Sequence, residues 1–96
     1  MNNENKPAKV VVVGCGYVGL TAAACLAELG HVVIGVENDV DRVVLLTQGK
    51  APFFEPGLDD LVASGLAAGR LSFTSDLTTA VTDVDVVLIS VPTPSL

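Results

Sequence analysis

Lys9-Val10-Val11-Val12-Val13-Gly14-Cys15-Gly16-Tyr17-Val18-Gly19 is the stretch on which the fold of this 96-residue chain turns. Val10 to Val13 form an unbroken β-branched run with no alternation of polar and apolar positions. Such a strand is buried on both faces, as the strands of a parallel sheet are. The run halts at Gly14, and residues 17 to 29 change to the Ala and Leu of a helix, with Gly30 as a stop suited to a left-handed conformation. Gly14, Gly16 and Gly19 therefore spell G-x-G-x-x-G in its telling context, directly after a strand and opening a helix. In that pattern Gly14 permits the tight turn, Gly16 removes the β-carbon where a pyrophosphate approaches the backbone, and Gly19 lets the helix lie close on the strands.

Outward from this bend the same alternation repeats. Val32 to Val36 is a second buried strand, and Asn38, Asp39 and Asp41 offer capping oxygens for a helix over Val40 to Gln48. Gly49 to Pro56 reads as a loop, and Leu58, Leu61, Val62 and Leu66 recur at helical spacing up to Gly69, with Gly65 as a weak point. Arg70 to Thr74 suggests a third strand, and Ser75 or Asp76 caps a short helix reaching about Val81. Asp85 to Val91 is a fourth strand, ended by Pro92 and Pro94. The expected fold class is α/β, a Rossmann-like doubly wound parallel sheet of order 3-2-1-4, truncated after its fourth strand. Residues 1–8 read as a flexible polar tail and 9–96 as one domain. The fourth strand falls at the sheet edge, where unpaired backbone groups need cover, so self-association or a missing domain is expected there.

Composition narrows the function. Half of the residues are apolar and 17% are charged, which excludes disorder for the bulk of the chain. A chain of this size buries roughly 60 to 70% of its unfolded surface, enough for one core. Five Lys and Arg against eleven Asp and Glu give a net charge of -6, which disfavours nucleic acid and anionic membranes as partners. No apolar run approaches the roughly 20 residues that span a bilayer. The start of the chain lacks the order of a secretory signal, so a cytoplasmic location is expected. Along one helix Cys15 and Cys25 would lie more than about 10 Å apart, too far for a disulfide, and no zinc spacing is present.

The candidate site residues cluster at the carboxyl ends of the strands. Gly14, Cys15, Gly16, Tyr17, Val18 and Gly19 form the cradle, where unpaired amides and the positive helix end attract an anion. The motif ordinarily has an acidic residue about 20 positions on, and Glu37 stands there, able to accept hydrogen bonds from an adenosine ribose and to repel a 2′-phosphate. That favours NAD over NADP, although Arg42, one turn onward, reaches the same region. Across the crevice, Val91, Pro92, Thr93, Pro94 and Ser95 form the second lip, with hydroxyls aimed at the rest of the dinucleotide. The structural alternatives are an empty Gly-rich turn, a solvated Glu37–Arg42 pair and an ordinary strand exit. His31 reads as a surface imidazole near a helix end, Cys15 and Cys25 as packing residues with Cys25 in the core, and Asp59 and Asp60 as charges suited to a helix dipole. No catalytic or metal-ligating residue is expected.

With those residues in view, Lys9 to Ser95 resembles the amino-terminal NAD-binding domain of the UDP-glucose/GDP-mannose 6-dehydrogenase family. The resemblance rests on Gly14 to Leu20, on Glu55-Pro56-Gly57-Leu58 and on Val91-Pro92-Thr93-Pro94, in that order. It implies NAD as cofactor, with residues 14 to 19 on the pyrophosphate, Glu37 and Arg42 on the adenosine ribose and Val91 to Ser95 on the remainder. Glu37 stands where the family more often has Asp. It also implies that oxidation of a sugar C6 alcohol to a carboxylate, through a catalytic cysteine, belongs to domains absent here, so that the isolated chain binds NAD without turnover and meets a nucleotide-sugar only through those domains. Two other readings stay open: a regulatory nucleotide-sensing module, and the equivalent domain of another hydroxy-acid or acyl-coenzyme dehydrogenase.

Overall fold

A computed structural model describes residues 6–90 of the chain. The elements follow in the order β1 (Lys9–Val13), α1 (Tyr17–Glu28), β2 (Val32–Val36), α2 (Val40–Thr47), α3 (Leu58–Ala67), β3 (Leu71–Thr74), α4 (Leu77–Ala80) and β4 (Val86–Ile89). All pairings are parallel, and the sheet order is β3-β2-β1-β4. This is the expected doubly wound half, with the chain returning from β3 across the sheet to place β4 beside β1.

The central strands are apolar throughout because both of their faces are covered. Val10 and Val12 face a main core built with Leu20, Ala23, Ala24 and Ala27 of α1, Leu46 of α2 and Val62 of α3. Val11 turns the other way, into a smaller core with Val36 and Ala80. The crossovers β1 to β2 and β2 to β3 run in one direction and place α1 to α3 on one face; the return crossover leaves only α4 on the other.

Local chemistry sets the element ends. Asp39 caps α2 by accepting from the amides of Asp41 and Arg42 at 3.0 and 3.3 Å, and Asp76 caps α4 by accepting from the Thr79 amide at 3.2 Å. Gly65 does not break α3; it is buried where a β-carbon would press on Leu71. β4 is shorter than the sequence suggests, and every residue of it is exposed.

Two sequence expectations, for Cys25 and His31, are corrected. Cys25 is exposed, not in the core, because α1 buries Leu20, Ala23, Ala24 and Ala27 and leaves Cys25 on the outer side. The Ala8 amide donates to His31 Nδ1 at 3.0 Å, and the Ala8 carbonyl accepts from Val32 at 3.0 Å. His31 is for the same reason a half-buried acceptor that ties Ala8 down, not a free surface imidazole.

Gly19 carries the tightest steric constraint in the fold, since a β-carbon there would collide with the Gly14 carbonyl oxygen and stand 3.2 Å from Ser90 Cβ. The obstacle is backbone and cannot swing aside. Gly19→Ala is expected to lower stability by about 1–3 kcal/mol or more, read as a reduced urea midpoint; an unchanged midpoint would contradict the packing described.

Candidate functional site

The bend between β1 and α1 uses its three glycines for three different reasons. Gly14 has φ 95°, a left-handed conformation that favours glycine, and its amide donates to the Val36 carbonyl at 2.9 Å, locking the bend to the end of β2. Gly19 allows the backbone contact just described. Gly16 has ordinary extended dihedrals, φ -70° and ψ -169°, and a β-carbon built on it meets nothing within 4 Å. Neither strain nor packing within the described residues requires glycine at Gly16, and the open space beside it is what a ligand against the backbone would use.

Electrostatics distinguish α1 from the other helices. α2 and α4 have Asp39 and Asp76 as caps, and α3 carries Asp59 and Asp60 in its first turn. α1 has neither a capping side chain nor an acidic residue in its first turn. Its leading amides and positive helix end therefore face outward unneutralised, a suitable seat for phosphate oxygens.

Glu37, immediately after β2, is the one buried charged side chain among the described residues, at 8% exposure. Its Oε2 accepts from the Asp39 amide at 3.0 Å, which fixes the carboxylate, while Oε1 lies 3.9 Å from Arg42 Nη1. That distance is an ion pair without a good hydrogen bond, so Oε1 retains lone pairs for another donor. Glu37 lines a cavity of about 210 Å³ with Val13, Gly14, Val36, Asn38, Ser75 and Leu77. This cavity opens at the carboxyl ends of β1, β2 and β3, where ligands bind in open α/β sheets. Ser75 and Leu77 were not anticipated from sequence; their position just past β3 was the available signal.

Other expected residues fall in separate places. Tyr17 and Val18 are exposed at the start of α1, and the Tyr17 hydroxyl donates to Glu55 Oε1 at 3.2 Å, a bond that raises the phenol pKa above its ordinary value. Tyr17 and Glu55 also line a larger cavity of about 360 Å³ with Pro56, Leu58 and Leu61, between the start of α1 and the start of α3. Cys15 turns its side chain inward: it is fully buried, its Sγ donates to the Val36 carbonyl at 3.7 Å, and only its backbone can face a ligand. Burial, with a contribution from the Glu37 charge that outweighs Arg42, pushes its thiol from 9.0 up to about 12. Such a thiol is no nucleophile. Asp59 accepts from the Ala51 amide at 2.8 Å and so fastens the loop before α3. Val91, Pro92, Thr93, Pro94 and Ser95 lie outside the described residues. Among the described residues no helix is long and apolar enough to cross a membrane, and no group of three or more His, Cys, Asp or Glu is placed to hold a metal ion.

A parallel sheet with a glycine bend, an uncapped helix end and a buried acid at the end of the second strand defines a dinucleotide-binding Rossmann domain. The sequence profile of the UDP-glucose/GDP-mannose dehydrogenase family, NAD binding domain, matches residues 8–96. The chain belongs to that family, as its NAD-binding domain. It is 53% identical over 87 residues to UDP-glucose 6-dehydrogenase of Rhizobium meliloti and 47% identical over 87 residues to GDP-mannose 6-dehydrogenase of Pseudomonas aeruginosa, in each case over 91% of this chain and 20% of the relative. Among solved structures, a ternary complex of GDP-mannose dehydrogenase from Pseudomonas aeruginosa superposes with TM-score 0.87 at 47% identity, over 91% of this chain and 20% of that one. UDP-glucose dehydrogenase from Pyrobaculum islandicum gives 0.87 at 35% identity, over 95% and 21%. The chain thus spans about a fifth of the length of the relatives it matches.

The two thiols are expected to behave oppositely. At pH 8 a maleimide should label Cys25 rapidly and leave Cys15 unmodified in the folded protein, as peptide mass mapping would show. Because the Cys15 pKa is raised on folding, the unfolded chain gives up its proton first as pH climbs. Stability from this group is complete below pH 9.0 and is lost progressively toward about 12. Cys15→Ala should flatten that alkaline decline in urea midpoint, whatever its effect at neutral pH.

Proposed function

We propose that this chain grips NAD through the bend and the Glu37 cavity and forms the cofactor half of a nucleotide-sugar 6-dehydrogenase of the UDP-glucose type. The observation that carries the reading is the open space at Gly16 beside an uncapped, acid-free helix end. The backbone of Gly14 to Gly19, including Cys15, Tyr17 and Val18, holds the pyrophosphate. Glu37 accepts from the adenosine ribose hydroxyls, with Arg42 beside it, and Ser75 and Leu77 close the adenosine end of the cavity. Val91 to Ser95 complete the opposite lip. When bound, NAD supplies the hydride acceptor for oxidation of a sugar C6 alcohol. No residue of this chain is assigned to catalysis, so the chain alone binds cofactor and does not turn over.

In this reading the sugar nucleotide is met by protein corresponding to the relatives' remaining length. The apolar side chains of β4, exposed by 39 to 73%, mark where such protein or a second copy packs. The setting is cytoplasmic, in keeping with two free thiols. A nucleotide-sensing role has nothing in its favour beyond the shared cradle.

Titration with NADH, followed by nicotinamide fluorescence, should show saturable binding, with NADPH and ATP weaker. Gly16→Val should abolish NADH binding while leaving the thermal midpoint nearly unchanged, because valine fits extended dihedrals and a β-carbon there has open space around it. Preference for ATP, or unaltered NADH affinity in Gly16→Val, would overturn the reading.

A further inference from the structure

Arg42 forms the one ion pair recorded among the described residues, and at 3.9 Å from Glu37 Oε1 that pair does not by itself fix a long, half-exposed side chain. What lies behind the guanidinium is Phe53, from the loop between α2 and α3. The Arg42 Cζ stands 5.6 Å from the Phe53 ring centroid, within the range over which a cation is attracted to an aromatic face. Phe53 is in turn held from two sides. It is half-buried and packed against the main core, and its ring meets Tyr17 edge-on, with centroids 6.0 Å apart at 87°. Tyr17 is tied to the same loop through Glu55. A contact chain Glu37–Arg42–Phe53–Tyr17–Glu55 thus runs from the ribose end of the cavity to the first turn of α1.

Resting on the cofactor reading above, we propose that Phe53 is a positioning residue that parks the Arg42 guanidinium beside Glu37 and thereby sets the discrimination between a ribose 2′-hydroxyl and a 2′-phosphate. An arginine in this region is the group that accommodates a 2′-phosphate. Held on an aromatic face and paired with Glu37, the cation offsets the buried carboxylate and is not free to turn outward. With the aromatic face removed, the carboxylate loses its fixed counter-charge and the arginine is released toward a phosphate. NADH then binds less well and NADPH relatively better.

The test compares NADH and NADPH dissociation constants for the native chain with those for Phe53→Leu and Phe53→Trp, each also in an Arg42→Ala background. Phe53→Leu keeps apolar packing but removes the π face, and should narrow the NADPH-to-NADH ratio by about three- to tenfold, in line with one cation–π contact. Phe53→Trp should restore the native ratio, and in Arg42→Ala the Phe53 substitutions should leave the ratio unmoved. A merely structural role would shift the thermal midpoint and both affinities together, without dependence on Arg42. If Phe53→Leu does not fold, Phe53→Met serves as the second non-aromatic variant. A native chain that binds no NADH overturns the cofactor reading and this proposal with it. Native binding with an unchanged ratio in the non-aromatic variant, or an equal change without Arg42, overturns the proposal alone.

Discussion

The structure depends on a contact between two stretches of backbone. α1 leaves β1 so sharply that Gly19, in its first turn, lies against the carbonyl of Gly14, with no room for a β-carbon between them. Because both partners are main chain, the contact fixes the start of α1 relative to the carboxyl end of β1. The Gly14 amide bonded to Val36 then ties that end to β2. Everything positioned around the crevice inherits its geometry from these contacts: the direction of the helix, the exposure of its leading amides and the depth of the Glu37 cavity.

A chain with net charge -6 is an unpromising receptor for a dianionic pyrophosphate. The resolution is local. Acidic residues cap or line the first turns of α2, α3 and α4, where they stabilise those helices, and are absent from the first turn of α1. The stabilisation a cap would give α1, on the order of 1 kcal/mol, is forgone, and in the proposed reading a bound phosphate would supply it. Glu37 does add negative charge near the site, but its carboxylate is held by the Asp39 amide and faces Arg42. In the proposed reading the acid, so offset, is left to accept from hydroxyl donors.

The sheet and the cradle were legible in the sequence because their signals are local and strong. Val10 to Val13 admit little but a buried strand, and three glycines at fixed spacing after it leave one geometry for the turn. Strand order followed by analogy with the doubly wound fold, without any need to see contacts. Cys25 was misread because α1 is rich in alanine on several sides: YVGLTAAACLAE offers no polar stripe from which to tell its buried face. His31 and Ala8 were missed as a pair because a side-chain acceptor for a distant backbone amide leaves no periodic trace. Ser75 and Phe53 come from loops and Leu77 from the first position of the four-residue α4, whose places are set by tertiary packing and not by pattern. Their roles became visible only when the strand ends were brought together.

β4 is held in the sheet without a core of its own. Its four side chains are all exposed, so burial does not hold it. Backbone pairing does, reinforced at both ends. At the amino end the Lys9 amide donates to Asp85 Oδ2 at 2.8 Å, Lys9 Nζ donates to the Thr82 carbonyl at 2.9 Å, and the Asp85 amide returns a bond to the Lys9 carbonyl at 2.9 Å. At the carboxyl end Ser90 donates to Val13 at 2.7 Å, beside the bend itself. Each such bond contributes modestly, roughly 0.5–1.5 kcal/mol net, but together they set the register of β4 against β1 from polar contacts alone. Protein packing on the exposed faces of β4 would then add apolar burial to a strand already in position.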